Sequence, residues 1–148
     1  MDDAKRDLIR AWLIKSRNDL DTARQISSLP EGHLDTAIYH CQQAAEKAIK
    51  GFLAFHDHEL ERTHDLKRLL QIAAADDRAF LQWMGAAITL TPYATAYRYP
   101  GEVVVSEPDR AEFDEALELA TDFMTFVLSR LPDNITHQGF ELNEIDKS

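Results

Sequence analysis

Four polar side chains in one segment, His40, Gln43, Lys47 and Lys50, recur at intervals of three and four residues. At about 100° per residue they fall within roughly 80° of a helical arc, beside a separate apolar sector of Ala37, Cys41, Ala44, Ala48 and Phe52. Two ammonium groups, an amide and an imidazole on one ridge suit a phosphate together with a base or ribose. The same spacing also suits a solvated face on which Glu46 pairs with Lys50 one turn later. Farther along the chain, Arg98 stands between Tyr97 and Tyr99 and ahead of Pro100-Gly101. A planar guanidinium beside aromatic rings, followed by a rigid turn, suits stacking and bidentate phosphate binding; it suits equally an anchor from a loop to a helix C-terminus. His64 beside Asp65 reads as a capping or packing residue, or as a further ligand contact. The candidate ligand-binding residues are therefore His40, Gln43, Lys47, Lys50, His64, Arg98 and Tyr99, and no residue is assigned a catalytic role.

Other chemistries find less support. His56-Asp57-His58 offers ligating atoms, but adjacent positions near a helix end lack the spaced second pair of a zinc site, so no metal is assigned. Trp12 and Trp83 lie within apolar stripes, and Cys41 adjoins one, so all three read as core residues. The chain has no P-loop, no glycine-rich dinucleotide turn and no nucleophile elbow, and no cofactor is expected.

The elements that must position these groups read as helices. Ile9, Trp12, Leu13, Leu20, Ala23 and Ile26 give an amphipathic helix from about residue 4 to 27, broken by Leu29-Pro30-Glu31-Gly32. A second helix, from about 34 to 56, contains the alanine-rich stretch 43–50, whose small side chains let neighbouring helices approach closely. Thr63 reads as the N-cap of a short third helix carrying Leu66, Leu69, Leu70 and Ala73. A fourth is expected to start at Asp76 or Asp77 and to run through Phe80, Trp83, Met84, Ala87 and Leu90 to the region of Pro92. Val103-Val104-Val105 reads as an extended connector. Ser106-Glu107-Pro108-Asp109 then opens the last helix, with a cap, early acids and Pro in the first turn, ending at Pro132.

At 148 residues and 45% hydrophobic content, the chain suits one domain over residues 1–132, followed by a polar tail at 133–148 expected to be mobile or to dock as a short strand or helix. Five Gly and five Pro are too few for a turn-rich β-sandwich, and the expected class is all-α. A single Cys excludes an intramolecular disulfide framework and fits a reducing compartment. No apolar run is long enough to span a bilayer, and the N-terminus, opening Met1-Asp2-Asp3, does not read as a secretory signal. A cytoplasmic location is expected, with no membrane partner. The net charge of -10 argues against broad, nonspecific nucleic-acid binding. Basic residues nevertheless concentrate in the first helix and acids in the last, which leaves room for a local basic site.

Taken in order, four blocks resemble the HEPN family: Trp12 with Asp19-Leu20 and Ala23; Tyr39-His40-Cys41-Gln42-Gln43-Ala44-Ala45-Glu46-Lys47-Ala48-Ile49-Lys50; Thr63-His64-Asp65-Leu66; and Tyr97-Arg98-Tyr99-Pro100. The resemblance spans about Asp7 to Leu131. It implies an up-and-down bundle of four main helices plus a short extra one, usually paired as a homodimer. It also implies a partner: many small prokaryotic members are encoded beside a minimal nucleotidyltransferase and are thought to act with it as a two-component module, often of toxin–antitoxin type. Members have been proposed to bind nucleotides, and by position His40, Lys47, Lys50, His64 and Arg98 would face a nucleotide or RNA.

Many HEPN proteins are metal-independent ribonucleases that use an Arg followed four to six residues later by a His. This sequence departs from that pattern, because residues 99–105 after Arg98 contain no His. Arg130 and His137 meet the spacing, but Pro132 separates them at a helix end. The expected function is therefore a noncatalytic nucleotide- or phosphate-binding partner of a nucleotidyltransferase. The alternatives are a ribonuclease toxin using Arg98 with His64, and a purely structural interaction dimer.

Overall fold

Asp2 starts the first helix, its carboxylate accepting a hydrogen bond from the Lys5 backbone N–H at 2.7 Å. This helix, α1, spans Asp3–Ser28 and buries Ile9, Leu13, Leu20 and Ala23. It stops where Leu29 turns extended ahead of Pro30. The turn that follows requires glycine, since a Cβ at Gly32 would fall 1.8 Å from the Ile26 carbonyl oxygen. The chain then reverses into α2, Leu34–Phe55.

The computed structural model describes residues 1–99 and 107–136, and these residues form an all-α bundle with no strand among them. After α2 come α3 (Leu66–Ala74), a 3-10 segment (Arg78–Trp83), α4 (Met84–Leu90), a second 3-10 segment (Thr91–Ala94), α5 (Arg110–Ser129) and the short α6 (Asp133–Thr136). Contacts fix the directions of the long helices. Asp57 meets Lys5, Gly51 meets Leu13, Ala44 meets Ser16 and His40 meets Asp19, so α2 runs antiparallel to α1. Arg110 reaches Ser27 and Thr121 reaches Arg24, so α5 is antiparallel to α1 as well. No helix among the described residues is long and apolar enough to cross a membrane.

The central position of α2 follows from its small residues. Ala37, Ala44, Ala45, Ala48 and Gly51 are all buried, and the Ser16 hydroxyl donates to the Ala44 carbonyl at 2.6 Å across the α1–α2 contact. With α1 on one side and α3 and α5 on others, little of this helix remains for water. Cys41 lies in this core, where burial pushes its thiol up to about 12, so it is not a reactive group.

The expected helices are present, with three differences. The fourth helix is wound as 3-10 at its start, capped by Asp77, whose carboxylate accepts from Ala79 N–H at 3.0 Å. In a 3-10 turn residues three apart eclipse, which puts Phe80 and Trp83 on one side to meet Phe123 and Phe126 of α5, with ring centroids 5.0–6.3 Å apart. Asp65, not Thr63, caps α3, accepting from Lys67 N–H at 3.0 Å while the Thr63 hydroxyl accepts from Asp65 N–H at 3.1 Å. Asp109 caps α5, leaving Pro108 before the cap and not inside the first turn. Residues 133–136 form α6, where Arg10 donates to the Asn134 and Ile135 carbonyls and Ile135 and Thr136 are buried. The connector 103–105, Ser106 and residues 137–148, including His137, lie outside the described residues.

Helix contact at Gly51 gives the first test. A Cβ there would sit 3.1 Å from Leu13 Cδ2 and 3.5 Å from Trp12 Cβ. Gly51→Val adds two further carbons to that contact and is expected to destabilise the fold by about 1–3 kcal/mol. The readout is a lower urea midpoint with unchanged slope; an unchanged midpoint would show that α1 and α2 are not closely packed here.

Candidate functional site

The polar ridge of α2 does not form one cationic surface. Its two lysines turn to two different buried carboxylates, each shared with an imidazole. Asp19 of α1, 7% exposed, accepts from Lys47 Nζ at 2.6 Å and lies 2.8 Å from His40 Nδ1. Glu46 of α2, 3% exposed, accepts from Lys50 Nζ at 2.9 Å and lies 2.7 Å from His64 Nδ1. Gln42 ties the second cluster together, donating to Glu46 Oε1 and to the His64 carbonyl, and Gln43 donates to Gln42 Oε1 at 2.6 Å.

Burial dictates this pairing. A carboxylate out of water has a large desolvation penalty unless charges and hydrogen bonds replace its hydration, and each of these has both. Lys50 pairs with Glu46 across one turn, as the solvated-face alternative requires, yet it is only 8% exposed and also lies 5.6 Å from the Trp12 ring centroid. The face is therefore a buried network and not a solvated one. In the second cluster the imidazole is the water-facing group, His64 at 64% side-chain exposure against 10% for Lys50, whereas in the first His40 and Lys47 are both partly exposed.

Arg98 sits in a different setting. Its guanidinium carbon lies 4.1 Å from the Tyr39 ring centroid and 5.5 Å from that of Tyr99, and Nη1 donates to the Ala94 carbonyl at 3.4 Å. The guanidinium is thus stacked on an aromatic ring and also tied back to the end of the second 3-10 segment. Among the described residues Arg98 makes no ion pair. A groove of about 270 Å³ lies beside it, lined by Asp35, Thr36, Tyr39, His40, Tyr97 and Arg98. Residues 35, 36, 39 and 40 come from successive turns at the start of α2, and residues 97 and 98 from the loop after the second 3-10 segment.

Of the seven candidate residues, the structure brings His40 and Arg98 to one groove, with the 67% exposed Tyr99 beside Arg98. Gln43, Lys47, Lys50 and His64 are not among the residues that line it. Lys47 is connected to it indirectly, through the Asp19 carboxylate it shares with His40. Asp19 and Glu46 are absent from the candidates although they organise both clusters. The sequence signal for Asp19 is its position on α1, one helix away and with no spacing relation to His40; only the antiparallel pairing of α1 with α2 relates the two.

Glu112 is the other residue that sequence reasoning misses. Its carboxylate accepts hydrogen bonds from Tyr93 Oη at 2.8 Å and from Tyr97 Oη at 3.0 and 3.1 Å, and the two rings stack at 18°. Tyr97 has a φ of 67°, a left-handed conformation that a bulky residue adopts only when its surroundings enforce it. This clamp from α5 supplies that enforcement and points the next residue, Arg98, toward Tyr39.

Metal-ligating atoms converge once among the described residues, where His33, Asp35 and Glu107 each place one within 4.8 Å of the others, all at exposed or half-exposed positions. His56 and His58 both turn instead to Asp76, at 3.7 and 2.5 Å.

The architecture is that of a known family. A family model described as "HEPN domain" matches residues 9–131. The fold is similar to the crystal structure of TT1696 from Thermus thermophilus, at TM-score 0.72 and 31% identity over 83% of this chain and 98% of that one. It is also similar to ST0689, an archaeal HEPN homologue, at TM-score 0.64 and 28% identity over 82% and 96% of the two chains. None of the curated proteins matches.

The tyrosine clamp predicts an alkaline limit. Burial raises the pKa of both phenols above the ordinary tyrosine value, and the Glu112 hydrogen bonds raise them further. A raised folded-state value means that the contribution is complete below about pH 10 and is lost as pH climbs through the folded values. The urea midpoint is expected to fall above about pH 10 in the native sequence and to fall less in the Tyr93→Phe/Tyr97→Phe double variant. Equal alkaline slopes in the two proteins would remove the clamp from this account.

Proposed function

The chain belongs to the HEPN domain family, and on that premise we propose that it is a noncatalytic binding module whose ligand is a nucleotide or a nucleic-acid phosphate, held in the groove between α2 and the Arg98 loop. The observation that carries this reading is Arg98. Its guanidinium is stacked on Tyr39, makes no ion pair among the described residues, and faces a groove with His40 opposite. A stacked guanidinium has little freedom left to lose, and its remaining edge presents paired donors to a phosphate. His40 has its Nδ1 engaged by Asp19, which leaves Nε2 as the ring nitrogen available to a ligand. The lysines support the site electrostatically from behind, as partners of carboxylates, and not as direct phosphate contacts.

In this reading the chain forms a homodimer and works with a minimal nucleotidyltransferase in a two-component, toxin–antitoxin-like module. Family membership supports that half of the reading, as does the fold shared with an archaeal HEPN homologue. The test of the ligand half is calorimetric. A purine nucleotide is expected to bind saturably, and Arg98→Ala to weaken it at least tenfold with unchanged circular dichroism, the loss of a charged hydrogen-bond partner costing about 1.5–3 kcal/mol. Lys47→Ala should weaken it less. No heat and no chemical-shift change at millimolar nucleotide would leave a structural interaction dimer as the better description.

One observation favours a second reading, a metal-independent ribonuclease. A carboxylate-oriented imidazole and a guanidinium without an ion pair among the described residues share one groove, with His40 in the place the sequence alone gave to His64. That reading requires RNA cleavage that persists in chelator and vanishes in His40→Ala. RNA left intact by the native protein over hours would dispose of it.

A further inference from the structure

The groove holds fewer positive charges than the composition of its neighbourhood suggests. Lys47 and Lys50 are each committed to a buried carboxylate, so the fixed cation lining the groove is Arg98, joined by the titratable His40. The α2 wall that carries His40 is acidic toward the N-terminal end of the helix. Asp35 lines the groove from the first turn of α2, its Oδ1 accepting from Thr36 N–H at 2.8 Å. Glu107, outside the lining itself, lies close to it, with a carboxylate oxygen within 4.8 Å of an Asp35 oxygen and 3.6 Å from His33 Nδ1. At such separations the two carboxylates concentrate negative charge that an approaching anion meets as repulsion. One phosphate beside Arg98 is compensated. A second or third phosphate extending toward Asp35 and Glu107 is repelled, and the net charge of -10 adds to the repulsion.

The same wall suits a sugar. A carboxylate accepting from hydroxyl hydrogens is a recurrent way to hold a ribose, and Asp35 with the Thr36 hydroxyl offers both an acceptor and a donor. Tyr99, 67% exposed beside Arg98, offers an open aromatic face on which a base can stack. The volume of about 270 Å³ is just below the roughly 300–1,000 Å³ typical of small-molecule sites, room for a phosphate and a sugar with the base emerging at the rim.

We infer that the groove selects a single phosphate monoester on a ribonucleoside, whether a free nucleoside monophosphate or the phosphorylated end of an RNA chain, and rejects di- and triphosphates. This rests on the reading of the groove as a phosphate site and goes further, by fixing the number of phosphates and the kind of sugar. Arg98 holds the phosphate, His40 shares it, and Asp35 reads the ribose hydroxyls while excluding further negative charge.

The experiment is a calorimetric series on the full chain with AMP, ADP, ATP and 2′-deoxy-AMP, with and without magnesium, together with a short oligoribonucleotide carrying either a 5′-phosphate or a 5′-hydroxyl. AMP is expected to bind at least tenfold more tightly than ATP, and at least fivefold more tightly than 2′-deoxy-AMP. Asp35→Asn is expected to narrow both gaps, because the neutral amide neither repels a second phosphate nor accepts as strongly from the sugar. A 5′-phosphorylated oligonucleotide matching AMP identifies an RNA end as a source of the ligand, and one that fails where AMP binds restricts the site to free nucleotide. ATP binding as tightly as AMP overturns the inference. So does magnesium-dependent ATP binding that is lost in Asp35→Asn, which would make the acidic wall a metal site. If no nucleotide in the series produces heat, the underlying reading of the groove fails as well, which is a different result from reversed selectivity.

Discussion

A carboxylate placed between two helices has to be given its hydration back by side chains, and Asp19 is where the site of this protein meets that demand. At 7% exposure it draws Lys47 and His40 inward from the next helix. The two partners respond differently to being drawn. Lys47 is consumed, its charge cancelled at 2.6 Å, whereas His40 is oriented, because binding through Nδ1 leaves its other nitrogen available. Glu46 repeats the arrangement with Lys50 and His64 farther along α2. A ridge that carries four nitrogen-bearing side chains in sequence thus leads to two imidazoles oriented by carboxylates. The lysines serve the same carboxylates as counter-charges.

Close packing is what permits this. Ser16 donates to a backbone carbonyl within α2, and Gly51 admits Leu13, so α1 and α2 approach closely enough for Asp19 to reach across. With larger residues along the alanine-rich stretch the helices would separate, and the carboxylate would return to water. The aromatic side of the core has the same logic in another form. The 3-10 winding of residues 78–83 aligns Phe80 with Trp83, and their rings fill the space against Phe123 and Phe126. The distorted helix therefore serves the packing of α5, which in turn carries Glu112.

Much of the fold is legible in the sequence because it rests on local signals. The periodicity of residues 9–26, the break at Pro30-Gly32 and the alanine-rich stretch each determine structure within a few residues of themselves, and α1 and α2 begin and end within a residue or so of expectation. What misleads is also local. Thr63 and Ser106 are good capping residues, yet Asp65 and Asp109 stand nearer the first helical turn, and a carboxylate accepts at least as well as a hydroxyl. The site is legible in its residue types but not in its charges. The one-turn spacing gives the Glu46–Lys50 pair, but nothing local reveals that Lys47 is neutralised by Asp19, 28 positions away, or that His64, 18 positions from Glu46, joins the second cluster. Helix periodicity places residues on faces; only tertiary pairing says what each face meets.

The groove therefore has two walls of unequal origin. One, from Asp35 to His40, is the first turns of a buried helix, and its geometry is fixed by the core of the bundle. The other is a loop in which Tyr97 is held at a positive φ, a conformation that costs on the order of 1–3 kcal/mol and must be enforced from outside. Glu112 enforces it by accepting from both Tyr93 and Tyr97, and Tyr39 receives the guanidinium that results. Placement of Arg98 thus depends on parts of the molecule that do not line the groove: α5, which supplies Glu112, and the aromatic contacts of Phe80 and Trp83 that seat α5. Any partner or change of state that shifted α5 would act on the guanidinium before it acted on His40, because the imidazole is anchored to α1 and the guanidinium is not.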